Sequence, residues 1–210
     1  MKIFDWTNNV KEDELIEVVN ALNNDKIVVF PTETVYGIGG NALKVDVINK
    51  LFQAKKRDYG KPISLLVGSI DKIKNVAYVN ENEEKVINKF MPGALTIVLK
   101  KKDNINDLVT AGKNTVGIRI PNHNIALTIL NKVDYPLATS SANISGESNI
   151  ADFTEIVSNL KDYVDIFIKG NISNDLIAST VLELNDGEVN ILRDGKISKS
   201  DVENALSLKN

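Results

Sequence analysis

The chain has 210 residues, of which 43% are hydrophobic and 25% charged, and its formal net charge is -3 at pH 7. This composition predicts one compact domain over residues 1–210 with a buried core. The absence of cysteine and the single histidine, His123, exclude disulfides, thiolate nucleophiles and zinc sites built from Cys and His. The acidic balance disfavours a dedicated nucleic-acid binder. No signal peptide or membrane-length apolar run is recognisable, so we expect a cytoplasmic protein with no membrane partner.

Helices and strands are predicted to alternate in short pieces along the chain. Apolar spacing and apolar runs predict, in chain order, a helix over 13–22, a strand over 26–30, a helix over 45–54, a strand over 63–67, helices over 71–77 and 81–90, strands over 95–99 and 115–120, a helix over 125–130, a strand over 136–139, a helix over 154–160, strands over 164–168, 179–184 and 188–192, and a helix over 199–206. Asn185-Asp186-Gly187 is a hairpin signal, which requires antiparallel pairing. The pattern therefore predicts an α/β fold with a mixed sheet and flanking helices.

A basic segment, Lys55-Lys56-Arg57, follows the second predicted helix. If the chain is extended there, Lys55 and Arg57 point the same way. Arginine offers a planar fork for phosphate and lysine a mobile point charge. The alternative is a solvated run of charge at a helix C-terminus, where cations complement the helix dipole.

Two polar segments follow predicted strands, which is where α/β sheets bind ligands. Residues 139–146 are rich in hydroxyl and amide groups that can hold phosphate or carboxylate oxygens. Residues 31–37 offer the hydroxyls of Thr32 and Thr34, the Tyr36 ring and the Glu33 carboxylate, a salt-bridge partner or base. An ordinary polar turn and a β-bulge are the respective alternatives.

Two arginines, Arg119 and Arg193, lie in or at the end of predicted strands. A buried strand arginine needs a charged partner, and either an anionic ligand or an Asp or Glu side chain would serve. His123 is expected to cap or pack near a helix start. No P-loop or dinucleotide-binding glycine pattern is present, so a bound nucleotide would depend on basic side chains and polar loops, with Mg²⁺ carried on its phosphates.

Taken together and in this order, several segments resemble the threonylcarbamoyl-AMP synthase family, the YrdC-type domain, in its short single-domain form. The resemblance rests on residues 30–37, 54–57, 61–62, 91–96, 116–121, 140–146, 179–181 and 192–193. It implies an open, twisted sheet around a concave basic pocket. It also implies that L-threonine, bicarbonate or CO₂, and ATP react to give threonylcarbamoyl-AMP and pyrophosphate, for N6-threonylcarbamoyladenosine in tRNA.

The same resemblance assigns residues to the substrates. ATP, with Mg²⁺, would be held by Lys55, Arg57, Thr115, Ser141, Asn143 and Arg193. L-threonine would lie near Thr32, Arg119 and Thr180. Further candidates are Lys61, Tyr36, Thr139 and Ser140. No protein nucleophile and no protein-held metal is expected. The resemblance further implies a separate threonylcarbamoyl transferase complex that uses the product, and a direct contact with tRNA is left open.

Two positions depart from the family pattern, because Asp58 and Asp194 stand where many members have proline. Both lie in predicted loops, so local geometry rather than function is affected. Two other functions stay open at this point. One is a non-catalytic RNA-binding module of the same fold, and the other is carbamoyl transfer during maturation of another protein, although related domains there belong to much larger chains.

Overall fold

Ten described strands form one mixed sheet in the computed structural model, which describes residues 1–207. The strands are β1 (Lys2–Asp5), β2 (Val28–Phe30), β3 (Gly37–Asn41), β4 (Ser64–Leu66), β5 (Leu95–Lys100), β6 (Thr115–Arg119), β7 (Leu137–Ser141), β8 (Ile166–Lys169), β9 (Thr180–Asn185) and β10 (Glu188–Arg193). The helices are α1 (Glu12–Asn23), α2 (Val45–Ala54), α3 (Ile70–Lys74), α4 (Glu81–Phe90), α5 (Asp107–Thr110), α6 (Asn124–Lys132), α7 (Phe153–Leu160) and α8 (Lys199–Ser207). The strand order is β1-β8-β2-β3-β7-β4-β6-β5-β9-β10.

Parallel and antiparallel pairs both occur, so the predicted mixed α/β sheet is confirmed. Strand β8 pairs in parallel with β1 and β2, and β4 with β6, whereas β3, β7 and β4 pair in antiparallel. The predicted hairpin joins β9 to β10, and its two turn residues, Asp186 and Gly187, have φ values of 51° and 86°. Positive φ at both central residues defines the type I′ turn, whose twist suits a hairpin.

Strand β3 was not predicted, because its sequence Gly-Ile-Gly-Gly-Asn contains three glycines and glycine is depleted in strands. The structure places β3 in the middle of the sheet, between β2 and β7. A Cβ on Gly39 would lie 2.7 Å from the Thr139 Oγ1, and one on Gly40 would lie 2.5 Å from the Val47 Cγ1. Close packing, rather than a turn, therefore explains these glycines.

Four other elements differ from the prediction. Strand β7 continues through Ser140 and Ser141, so the polar segment predicted as a loop begins as strand. Strand β1 and the four-residue helix α5 were missed, since each is too short to give a clear apolar period. Helix α3 ends at Lys74 rather than at residue 77.

The sheet is covered on both faces over only part of its width. Helices α1 and α6 bury Leu15, Val18 and Ile129 against one face of β2, β7 and β8. The remaining helices pack on the opposite face, where Ile97 and Ile118 of β5 and β6 point. Side chains alternate along a strand, so Thr96 and Gly117 lie on the face opposite to Ile97 and Ile118. This is the face on which α1 and α6 pack, but the two helices do not cover β5 and β6. This uncovered half of one sheet face is where the pocket lies.

Candidate functional site

A pocket of about 740 Å³, including the part open to solvent, lies on the uncovered sheet face. Its polar wall is formed by hydroxyl and guanidinium side chains: Thr32, Thr34, Arg57, Ser64, Thr96, Arg119, Thr139, Ser140, Ser141, Ser179 and Arg193. Residues from β4, β5, β6, β7 and β10 thus meet at one site, together with the segments that precede β3 and β9.

The Lys55 side chain joins the basic segment to the 141–145 segment. Lys55 is 1% exposed, and its Nζ donates to the Asn143 carbonyl oxygen at 2.6 Å and to the Ser141 carbonyl oxygen. The Lys55 carbonyl in turn accepts from the Ser145 N–H at 2.9 Å. The predicted convergence of these two distant segments is therefore confirmed.

Burial, and then the nearby Arg57 guanidinium, lower the pKa of Lys55 to about 7. The two carbonyl acceptors favour the ammonium form, whereas burial favours the neutral amine. A bound polyphosphate next to this segment would favour the ammonium form further.

Arg57 lines the pocket two residues after Lys55. Lys56 adopts a left-handed conformation, with φ 48°, which turns the chain out of α2. The Arg57 guanidinium donates to the carbonyl oxygens of Lys61, at 3.1 Å, and Pro62, at 2.8 Å. Burial lowers the pKa of Arg57. The loop that follows α2 therefore curls back and holds this cation at the pocket wall.

Arg119 ends β6 and is 7% exposed. Its Nε donates to the Gly93 carbonyl at 3.1 Å and its Nη2 to the Thr34 hydroxyl at 3.1 Å. The same Nη2 forms an ion pair with Glu33, whose Oε1 lies 2.8 Å away. The geometry is not that of a hydrogen bond, and neither Glu33 oxygen accepts one from residues 1–207. The predicted charged partner is thus Glu33, and Arg119 still lines the pocket.

Arg193 ends β10 and is held by the segment before β9. Its Nη2 donates to the Ser179 carbonyl at 2.7 Å and to the Ser179 hydroxyl at 3.0 Å. Burial lowers the pKa of Arg193, and the neighbouring guanidiniums of Arg119 and Arg57 lower it further. The three guanidiniums therefore line one pocket and lie close enough to repel one another.

A model of the Sua5/YciO/YrdC family, described as telomere recombination, matches residues 20–195. The chain belongs to this family. It is 36% identical over 94% of its length to a Methanocaldococcus jannaschii protein, 93% of which is covered, that carries the name threonylcarbamoyl-AMP synthase provisionally. It is 30% identical over 94% of its length to the threonylcarbamoyl-AMP synthase of Pyrococcus abyssi, but spans only 58% of that protein.

A solved structure of a Sua5 protein supports the family assignment. The crystal structure of P. abyssi Sua5 complexed with L-threonine superposes with a TM-score of 0.93 at 29% identity, covering 99% of this chain and 61% of that one. The family fold and this chain's sheet therefore agree.

Seven of the residues that the family resemblance suggested line the pocket: Thr32, Arg57, Arg119, Thr139, Ser140, Ser141 and Arg193. Asn143 lies behind the wall, where its side-chain amide donates to the Glu147 carbonyl at 2.7 Å and its Oδ1 accepts from the Ser141 hydroxyl. Together with Lys55, Asn143 shapes the segment that presents Ser141.

Two suggested residues, Thr180 and Tyr36, are absent from the pocket lining. The Thr180 hydroxyl is bonded to the backbone of Ile197, at 2.8 Å to its carbonyl and 2.9 Å from its N–H. By strand alternation Thr180 shares the buried face of Leu182, so Ser179 is the residue on the pocket side. The Tyr36 hydroxyl donates to the Gly170 carbonyl at 2.6 Å, so Tyr36 is part of the core.

Two further suggested residues lie outside the wall. Thr115 shares a face of β6 with Arg119 but lies four residues earlier, about 13 Å along the strand. Lys61 is exposed, and its backbone carbonyl rather than its ammonium reaches the site by accepting from Arg57. His123 precedes α6, where its Nε2 contacts the Asn171 carbonyl at 2.9 Å.

Ser64, Thr96 and Ser179 are wall residues that the sequence analysis missed, and Thr34 was noted there but assigned no role. The signal that was missed is the alternation of apolar and polar side chains along a strand. Thr96 lies between the apolar Leu95 and Ile97, and Ser179, three residues before the apolar Leu182, points to the opposite face from it. A polar residue at the alternate position of a short apolar strand marks the uncovered face.

One of the two departures from the family pattern, Asp58, has a local structural role. The Asp58 carboxylate accepts from the Gly60 N–H at 2.8 Å and so forms the turn that brings the chain back to Arg57. Asp194 is exposed, and the next residue, Gly195, approaches so closely that a Cβ there would lie 2.3 Å from the Thr180 backbone nitrogen.

Within residues 1–207, no group of three or more Asp, Glu or His side chains is arranged to hold a metal ion. Nor does this part of the chain include a helix with the length and apolar character needed to span a membrane.

Replacing Lys55 with methionine should flatten the dependence of folding stability on pH. A lysine whose pKa is about 7 when folded binds fewer protons than the unfolded chain between about pH 7 and 10.5, so stability rises with pH across that window. We expect the Lys55→Met slope to be shallower by up to about 1 kcal/mol per pH unit in urea unfolding. Lys56→Met, at the exposed neighbour, is the control, and equal slopes in all three proteins would contradict the shift.

Proposed function

We propose that this chain is an L-threonylcarbamoyladenylate synthase. The reaction joins L-threonine, CO₂ or bicarbonate, and ATP into threonylcarbamoyl-AMP and releases pyrophosphate. The observation that carries the proposal is the meeting of three arginines and several hydroxyls in one pocket of a chain of this family. The names of the relatives support the product, since an AMP moiety in it requires an adenylate donor.

The chemistry suits a site of this composition. The amine of threonine adds to CO₂ and loses protons to give a carbamate, whose oxygen attacks the α-phosphorus of ATP as pyrophosphate leaves. This nucleotidyl transfer needs aligned reactants and compensation of phosphate charge rather than a protein nucleophile. Fixed guanidiniums supply that compensation without reorganising during the reaction.

The triphosphate is assigned to the side of the pocket formed by Arg57, Arg193 and Ser141. Arg57 and Arg193 offer charge-assisted hydrogen bonds to phosphate oxygens. Lys55 and Asn143 act through the 141–145 segment, which they hold in place. Thr115 would reach only the outer end of a nucleotide that extends along β6.

The amino acid is assigned to the side formed by Thr32, Arg119 and Ser179. Arg119 would meet the threonine carboxylate, because Glu33 and Gly93 fix its guanidinium at the wall. Ser179 replaces Thr180 in this role. Thr139 and Ser140 lie between the two sides and would contact either substrate.

Magnesium is proposed to enter with ATP. The residues described offer no cluster of metal ligands, but the pocket is built for the oxygens of a polyphosphate, on which Mg²⁺ is commonly carried. The ion would contribute charge neutralisation there. Arg57 and Arg193 would share that task from the protein side.

We further propose that the product serves N6-threonylcarbamoyladenosine formation in tRNA, through a separate transferase complex in the cytoplasm. A contact between this chain and tRNA also stays a prediction. The competing function is an RNA-binding module without catalysis. It is less well supported, because the cations are gathered in a recess and the whole chain carries a net charge of -3.

Pyrophosphate release tests the function directly. We expect release only when ATP, L-threonine and bicarbonate are all present, because the carbamate is the attacking group. A coupled phosphate assay with each substrate omitted in turn measures this. Equal release without threonine would refute the assignment, and salt-sensitive RNA binding with no release would favour the RNA-binding function.

Paired variants test which side chain of the β9 segment meets threonine. Ser179→Ala should raise the KM for threonine about three- to tenfold, because one neutral hydrogen bond contributes about 1 kcal/mol. Thr180→Val should instead lower the unfolding free energy by about 1–3 kcal/mol, through the loss of both bonds to Ile197, and leave that KM within about twofold. A raised KM for threonine in Thr180→Val, with an unchanged KM in Ser179→Ala, would indicate that Thr180 rather than Ser179 contacts threonine.

A further inference from the structure

The charged groups on the pocket wall are all cationic. Arg57, Arg119 and Arg193 reach it from three different elements, and no carboxylate occurs among its lining residues within 1–207. Lys55 lies just behind the wall, bonded to the Asn143 and Ser141 carbonyl oxygens. A ligand in the pocket therefore meets positive charge on several sides and hydroxyls elsewhere.

The Glu33 carboxylate is the acidic group nearest this wall on the β2–β3 segment, and it is already engaged. Its Oε1 lies 2.8 Å from Arg119 Nη2, and both of its oxygens are shielded from solvent. Glu33 is absent from the pocket lining, although Thr32 and Thr34 on either side are present. It offsets one guanidinium and leaves two uncompensated.

Backbone carbonyls are the other acceptors that an ammonium could use, and the arginines already donate to four of those next to the site. Arg119 takes the Gly93 carbonyl, and Arg193 takes that of Ser179. Arg57 takes the carbonyls of Lys61 and Pro62. An incoming ammonium group would have to compete with a fixed guanidinium for each of them.

Among the described residues, the polar side chains that β4, β5 and β7 present to the pocket are all hydroxyls. Ser64 comes from β4, Thr96 from β5, and Thr139, Ser140 and Ser141 from β7. A hydroxyl accepts from an ammonium and donates equally well to a neutral amine or a carbamate oxygen. These residues therefore do not compensate the positive charge of an amino acid zwitterion.

We propose that the pocket binds its amino-acid substrate as the free-amine anion and expels the ammonium proton to solvent on binding. Like charges close together disfavour the charged form. This inference rests on the proposed function and adds a step to it. Loss of the first proton on binding leaves the nitrogen lone pair free to add to CO₂, and the second proton leaves when the carbamate forms.

Isothermal titration calorimetry of the full chain with L-threonine tests the inference. Titrations at pH 7.5 in Tris and in HEPES, without bicarbonate, ATP or phosphate, give the number of protons released from the difference in binding enthalpy. We expect more than about half a proton released for each threonine bound. Equal enthalpies after correction, meaning that the zwitterion binds, would overturn the inference, as would an absence of threonine binding.

A matched pair of variants at Ser64 separates wall charge from shape. Ser64→Asp places a carboxylate on the wall, so threonine should bind as the zwitterion and proton release should fall toward zero. Ser64→Asn has the size of Ser64→Asp without its charge, so it should release more protons for each threonine bound than Ser64→Asp does. Undiminished release from Ser64→Asp would show that wall charge does not set the ionisation, contrary to the proposal.

A pyrophosphate assay on the same wild-type preparation distinguishes this inference from the proposed function. Threonine-dependent pyrophosphate release together with zwitterion binding would leave the function intact and refute only the inference. Proton release on threonine binding without any pyrophosphate release would support the inference and refute the function.

Discussion

Four basic side chains are held at one sheet face, each by backbone carbonyls. Lys55 is bound by the end of β7, Arg57 by the loop after α2, Arg119 by Gly93, and Arg193 by Ser179. The three guanidiniums repel one another, and one carboxylate, that of Glu33, offsets only part of this repulsion. The positive potential of the pocket therefore favours the binding of anions, and a triphosphate and a carboxylate together would neutralise it.

The sheet provides the space in which those cations meet. Gly37, Gly39 and Gly117 lie on the uncovered face beside small hydroxyl residues, so few side-chain atoms fill the space above the sheet. A Cβ on Gly37 or Gly117 would already lie 3.1 Å from a threonine methyl group. Helices α1 and α6 cover the adjacent part of the same face and so define one side of the recess. The fold thus contributes a shallow floor and the segments at strand ends contribute the charge.

Periodicity alone predicted most of the elements, including α2 from Val45 to Ala54 and the β9–β10 hairpin. It failed at β3, where long-range packing against Thr139 and Val47 selects glycines that local propensity disfavours. For the site, the segments were predictable from family resemblance, but the direction of a side chain was not. Whether Ser179 or Thr180 faces the pocket depends on strand phase, and whether Lys55 contacts ligand or backbone depends on a residue 88 positions away.

These basic side chains are proposed to bind the triphosphate of ATP. A crystal structure of the full chain with a non-hydrolysable ATP analogue and L-threonine tests this proposal most directly. The predicted result is phosphate oxygens within hydrogen-bonding distance of both Arg57 and Arg193, with Lys55 still bound to the 141–145 segment. A nucleotide bound elsewhere, with both guanidiniums left on their backbone carbonyls, would contradict it.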